Sequence, residues 1–156
     1  MEELVQSGAE SLLKLEKFLC LAIYSTSNAV TRAYQPRLAA LGLTYPQYLV
    51  MVALWEEEGQ TVKTIGDKLS LDSGTLSPLL KRLESTGLIT RRRDTVDERQ
   101  VLIGLTENGR SMRARAEAVP IAMSKVFDCT LDEAISLRSK LLEMRDRLLA
   151  SIDAKE

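Results

Sequence analysis

The chain carries two cysteines, Cys20 and Cys129, and no histidine. A cysteine thiolate is a strong nucleophile and can be oxidised to sulfenic acid or a disulfide. Without histidine, Cys-His and Ser-His catalysis and most zinc sites are excluded, and two cysteines alone cannot build a structural zinc site. The two sulfurs read as free thiols, inert or redox-active, rather than as a structural disulfide. From residue type alone, Cys20 reads as a small buried hydrophobe. Basic side chains supply the second chemistry. From Thr61 to Arg93 there are seven Lys and Arg against three Asp and Glu, a local charge of plus four. The net charge is minus one, so the remainder carries minus five. This asymmetry places positive potential where a phosphate backbone could dock, although an ordinary solvated face would give the same count. The pI of about 5.7 argues against a general nucleic-acid coat protein.

The 156 residues, 45% of them hydrophobic, suffice for one globular domain or for a small domain plus an assembly element. No apolar run approaches the roughly eighteen residues of a membrane span, and no secretory segment is evident. The expectation is a cytoplasmic protein with no membrane and no cofactor.

The basic segment has its own internal order. Val62, Ile65 and Leu69 recur at helical spacing, as do Leu76, Leu79, Leu80 and Leu83. Thr61 can cap the first of these helices and Asp72 or Ser73 the second, across the turn Ser70–Gly74. Gly87 stops the second helix, and Leu88–Thr90 and Val101–Ile103 supply strand material around a polar loop. Helix, turn, helix and hairpin in that order predict a winged helix-turn-helix, a fold that reads DNA.

The flanks are helical. A long pattern from Ser11 to Tyr34 carries a wide, weakly polar face that includes Leu12, Leu15, Leu19, Ile23 and Val30. Pro36 permits a break or a new short helix, which Gly42 stops. Thr44 and Gln47 predict a capped, strongly apolar helix through Trp55. Thr106 can cap a helix toward Met123, with a kink at Pro120. Thr130–Glu133 has the form of a capping box, before a helix whose seam is Leu137, Leu141, Met144, Leu148 and Ile152. The first and last helices read as a joint dimerisation unit, with core packing inside one subunit as the other option. The expected fold is mainly α with a small β-hairpin wing. Its parts are 1–43 (dimerisation and sensor helices), 44–105 (winged helix-turn-helix) and 106–156 (C-terminal dimerisation helices).

The second helix of the module would enter the major groove, where every base pair shows a distinct donor and acceptor pattern. Asp72, Ser73, Thr75, Ser77, Lys81 and Arg82 are its candidate contacts, Asp72 fitting a cap better than a base reader. Pro78 either sits in the first turn of a short helix starting at Ser77 or inside one starting near Ser73. The second reading is preferred: Gly74 relieves crowding and the ring could meet a thymine methyl. In the hairpin, Arg91, Arg93 and Arg99 are candidates for the DNA backbone and minor groove, with Asp97 placed to hold the Arg99 guanidinium.

The run LDSGTLSPLLKRLESTGLITRRRDTVDERQV closely resembles the multiple antibiotic resistance regulator (MarR) family of bacterial winged-helix repressors. The run FLCLAIYSTSNAVTRAYQPRLAALGLTYPQYLVMVALWE is similar to its organic hydroperoxide resistance regulator (OhrR) branch, on Cys20, Tyr24, Tyr34 and LGLTYPQYLV. The resemblance implies a homodimeric repressor of a pseudo-palindromic double-stranded operator, with an organic hydroperoxide as effector. Cys20 would be the sensing thiol, hydrogen-bonded by Tyr24 and Tyr34 from the second subunit. Cys129 resembles the resolving thiol of the two-cysteine type, which forms a disulfide with Cys20 of the other subunit. Tyr34 lies about 21 Å from Cys20 along one straight helix at about 1.5 Å per residue, so a contact needs a second chain or a sharp reversal. Two other readings remain: a MarR-type repressor released by a small aromatic ligand with both cysteines incidental, and a thiol peroxidase.

Overall fold

The structure, a computed structural model, describes residues 14–154 and divides into two compact units between Val119 and Pro120. Ser11 to Leu13, expected at the start of the first helix, lie outside the described residues. That helix begins later than its pattern predicts. A single 3-10 turn, Leu15–Lys17, precedes α1 (Leu19–Leu38), and Phe18 ahead of it is extended and offers no side-chain cap. Pro36 does not break α1. It removes one backbone bond, to the Arg32 carbonyl, and only two helical residues follow it. A 3-10 turn, Ala39–Leu41, then ends at Gly42 in the left-handed region.

The core of the first unit is organised around α2 (Tyr45–Glu56). Thr44 and Gln47 close a reciprocal capping box, and Tyr48, Val50, Met51, Ala53 and Leu54 are all buried. At the far end the buried Gln60 side chain donates to the carbonyls of Ala53, which also accepts the Glu57 amide, and Glu57, tying down the last turn of the helix. Gln60 and Thr61 form β1, a short strand the sequence pattern does not announce. Next come α3 (Val62–Leu69) and α4 (Ser73–Ser85), joined by a turn wound tightly on Gly66. A Cβ there would lie 2.8 Å from the Leu71 carbonyl oxygen, so only glycine fits without a shift. Leu76, Leu80 and Leu83 of α4 are buried against this core with Ile65 of α3.

Strands β2 (Ile89–Arg93) and β3 (Val101–Leu105) make the antiparallel wing, both longer than the sequence pattern predicts. The sheet order is β1-β3-β2, with Ile89 opposite Leu105 and Arg91 opposite Ile103. The next helix, α5 (Glu107–Ala116), is capped by Thr106. Thr106 also donates its hydroxyl to the Gly87 carbonyl and its amide to that of Leu88. Gly109, one turn on, lies so near the Leu88 carbonyl that a Cβ would overlap it. Trp55 of α2 closes the junction by donating its indole N–H to the Gly109 carbonyl at 2.9 Å.

The single kinked helix expected across Pro120 is instead two helices. α5 stops at Ala116 and α6 (Ala118–Phe127) begins two residues later. Pro120 then falls in the first turn of α6, where the amide it lacks has no helical partner to lose. In the second unit α6 gives way to Asp128, held at positive φ, and Cys129. Thr130 and Glu133 close a second capping box, and α7 (Leu131–Asp153) follows. α7 buries none of its residues, and Leu137, Leu141, Leu148 and Ile152 of its seam are exposed.

Candidate nucleic-acid interface and thiol site

The helix expected to read DNA is α4. Asp72 is its cap, accepting from the Thr75 amide at 2.8 Å and the Thr75 hydroxyl at 2.9 Å. These bonds hold the Asp72 carboxyl below the usual range, the Thr75 amide having the largest effect. Asp72 is thus occupied in shaping the helix start. The helix starts at Ser73 and carries Pro78 in its interior, the arrangement preferred from the sequence. Ser73, Thr75, Pro78, Lys81 and Arg82 lie exposed, whereas Ser77 is half-buried. Polar and cationic groups therefore occupy the side of α4 opposite its leucines, as insertion into a groove requires.

The wing tip is tied by its own acids. Asp94 accepts from the Val96 amide at 2.9 Å, and Asp97 accepts from the Arg99 amide at 3.1 Å and the Gln100 side-chain amide at 3.0 Å. Asp97 was expected to hold the Arg99 guanidinium; it holds the backbone of Arg99 instead, because the loop turns there and leaves amides to satisfy. Arg99 and Arg93 are exposed. Arg92, left off the sequence candidates, is exposed too, on the other face of β2, and strand alternation could have signalled it. Arg91 turns inward and comes within 3.8 Å of Glu84 on α4. Between the wing's returning arm and the first turns of α3 and α4 lies an open cleft of about 600 Å³, lined by Thr61, Lys63, Leu71, Asp72, Arg99 and Val101 among others.

Both thiols are free and exposed. Cys20 is the second residue of α1, at the positive end of a helix with no side-chain cap. Its sequence neighbours Phe18, Leu19, Leu21 and Ile23 are exposed as well, so this helix start is an apolar surface bearing one sulfur. The thiol is not the buried hydrophobe that residue type alone suggests. Tyr24, one turn on, is 66% exposed. Tyr34 stands apart from both: α1 is unbroken between them, and within one chain its ring packs 4.4 Å from Tyr45 and 5.9 Å from Tyr48. Tyr48 extends the cluster to Trp55 at 6.4 Å. Burial raises Tyr34, Tyr45 and Tyr48 above the usual phenol value, so all three remain hydroxyl donors at neutral pH. Tyr45 is the residue sequence reasoning passed over. Its place beside Tyr34 comes from α1 packing on α2, which local spacing does not encode.

Among the described residues no single helix is long and apolar enough to cross a membrane. The family described as transcriptional regulator SarA/Rot matches residues 32–115. The chain is 48% identical over 151 residues to the HTH-type transcriptional regulator TtmR of Methylorubrum extorquens (strain PA1), covering 97% of this chain and 77% of that protein. It is 47% identical over 134 residues to the organic hydroperoxide resistance transcriptional regulator of Bacillus subtilis (strain 168), covering 84% and 91%. The fold matches the crystal structure of AbfR of Staphylococcus epidermidis with a TM-score of 0.74 and 38% identity, over 90% of this chain and 97% of that one. AbfR has also been solved reduced and bound to DNA (TM-score 0.73, 38% identity, 89% and 96% covered) and with its disulfide formed (0.61, 37%, 92% and 98%). A helix-turn-helix, a basic wing and these relatives together place the chain in the SarA/Rot and MarR type of winged-helix transcriptional regulators, a DNA-binding class and not an enzyme class, alongside the Bacillus organic hydroperoxide resistance regulator.

Proposed function

We propose that this regulator is a homodimeric repressor that leaves its operator when an organic hydroperoxide oxidises Cys20. The observation that carries the reading is Cys20 itself, a free exposed thiol in the first turn of α1 on an apolar surface. Such a surface suits a hydroperoxide with an organic substituent better than hydrogen peroxide. In the first step the Cys20 thiolate attacks the outer peroxide oxygen. The S–O bond forms, the O–O bond breaks, and the departing alkoxide takes a proton to become an alcohol, leaving a sulfenic acid. In the second, the Cys129 thiolate of the other subunit attacks that sulfur and displaces hydroxide, which leaves as water with a disulfide formed. The two thiols lose two electrons and the peroxide gains them. Tyr24 and Tyr34 of the second subunit would donate hydrogen bonds to the Cys20 sulfur.

The apolar residues of α1 and α7 support the dimer, since many of them are exposed among the described residues of a single chain. Residues 44–105 then act as the reading module, with 1–43 and 106–156 holding two modules about one DNA turn apart. Ser73, Thr75, Ser77, Pro78, Lys81 and Arg82 face the major groove, and Arg93 and Arg99 reach the adjacent backbone and minor groove. Asp72 and Asp97 shape the elements that carry them. A nearly complete switch needs oxidation to favour the non-binding state by about 5.5 kcal/mol.

The test is fluorescence anisotropy on a DNA duplex selected from a random library by the reduced protein, titrated with cumene hydroperoxide. Wild type is expected to release the duplex and Cys20→Ser to keep it; release of the serine variant would sink the redox reading in favour of a ligand-gated regulator. On a denaturing gel the oxidised wild type should run as a reducible dimer. Persistence of that dimer in Cys129→Ser would remove Cys129 from the mechanism.

A further inference from the structure

Four arginines stand in or beside the wing, and one of them differs in its surroundings. Arg92, Arg93 and Arg99 are exposed. Arg91 has only 26% of its side chain exposed, and its Nε is buried without a hydrogen-bond partner among the described residues. Strand alternation explains the inward turn. Arg91 shares a face of β2 with Ile89, which is buried, and its register partner on β3 is Ile103, also buried. On this face β2 packs against α4. Among the described residues the guanidinium pairs with Glu84, in the last turns of α4, with Arg91 Nη1 at 3.8 Å from Glu84 Oε2.

We infer that Arg91 is a positioning residue: with Glu84 it sets the angle between the wing and the reading helix, and it does not bind a phosphate. The inference rests on the DNA-reading assignment and takes Arg91 out of the expected wing contacts, leaving Arg93 and Arg99. A planar guanidinium can span from the strand to the carboxylate while its stem lies along the apolar face, which an ammonium does not reproduce. The pair joins two elements that must enter neighbouring grooves together, so a change in their angle weakens contacts made elsewhere.

Simple electrostatics gives the opposite sign for Glu84. Removing a negative charge beside a DNA-reading surface strengthens binding, whereas removing a brace weakens it. The experiment measures the affinity of Glu84→Gln, Arg91→Gln, Arg91→Lys and the double glutamine variant for the duplex selected by the wild-type protein, across a salt series. Expected is a loss of about two- to fivefold for each single glutamine variant, the range of a half-exposed ion pair. The double variant should be no weaker than either single one, and the salt slope should match wild type. Arg91→Lys, which keeps the charge, should behave like Arg91→Gln. Tighter binding by Glu84→Gln overturns the inference. So does wild-type behaviour of Arg91→Lys with a salt slope in Arg91→Gln that falls by about 0.9 per subunit, the signature of a lost phosphate contact. Because the duplex is chosen by the wild type, a failed brace is distinguished from a failed DNA assignment.

Discussion

The reading module and the last helix use the same apolar residues to opposite ends. In α4, Leu76, Leu80 and Leu83 are buried to within 1% of full coverage. In α7, Leu137, Leu141 and Leu148 repeat at similar spacing and remain exposed. Both helices are capped, by Asp72 and by the Thr130 box, so local structure is secured in each. The difference lies in what surrounds them. The module folds around its own core, while α7 presents a seam that the described residues of one chain leave exposed, which is what the proposed dimer requires. Periodicity shows that a face wants burial; it does not say which molecule supplies the cover.

The contrast can be broken most severely at α7. Leu141→Asp with Leu148→Asp should yield monomers in light scattering and reduce operator affinity by about a hundredfold or more, since each buried leucine contributes about 1.5–3 kcal/mol. A double variant that remains dimeric would refute the assigned seam. Leu80→Ala should destabilise the module by about 2–5 kcal/mol in urea unfolding. Its loss should be the same at every protein concentration, whereas the α7 variant should abolish the dependence of the melting temperature on concentration. Thr61→Ala, which removes the cap of α3, is expected to cost about 1 kcal/mol in the same unfolding experiment. The smallest effect is on pH. Tyr34, Tyr45 and Tyr48 have raised values in the folded chain, so their contribution is fully present below about pH 10 and lost as pH climbs through the folded values. Thermal melts between pH 9 and 11 should show that decline, and Tyr45→Phe should shrink it.

Local chemistry was legible wherever a residue acts on its near neighbours. The caps at Thr44, Thr61, Asp72, Thr106 and Thr130 all reach their own first turns, three residues on. Pro78 was legible for the same reason, since its conflict is with Gly74 four residues back. What escaped depends on distant partners. β1 is two residues long and exists because β3 lies beside it. Arg91 faces inward because of the register with Ile103, and Tyr34 meets Tyr45 because two helices cross. Asp97 was assigned to the correct loop and the wrong group, as a carboxylate near an arginine can serve its backbone or its guanidinium equally well by spacing.

The junction at Gly109 sets a rule for anyone exchanging parts between regulators of this type. Thr106, Gly109, Gly87, Leu88 and Trp55 form one interlocked joint, with α5 pressed directly onto the backbone that opens the wing. A chimera cut at the end of β3 would separate the two halves of that joint and set a foreign side chain against the Leu88 carbonyl. The fusion point belongs beyond Gly109, so that the reading module travels with the first turn of α5 attached.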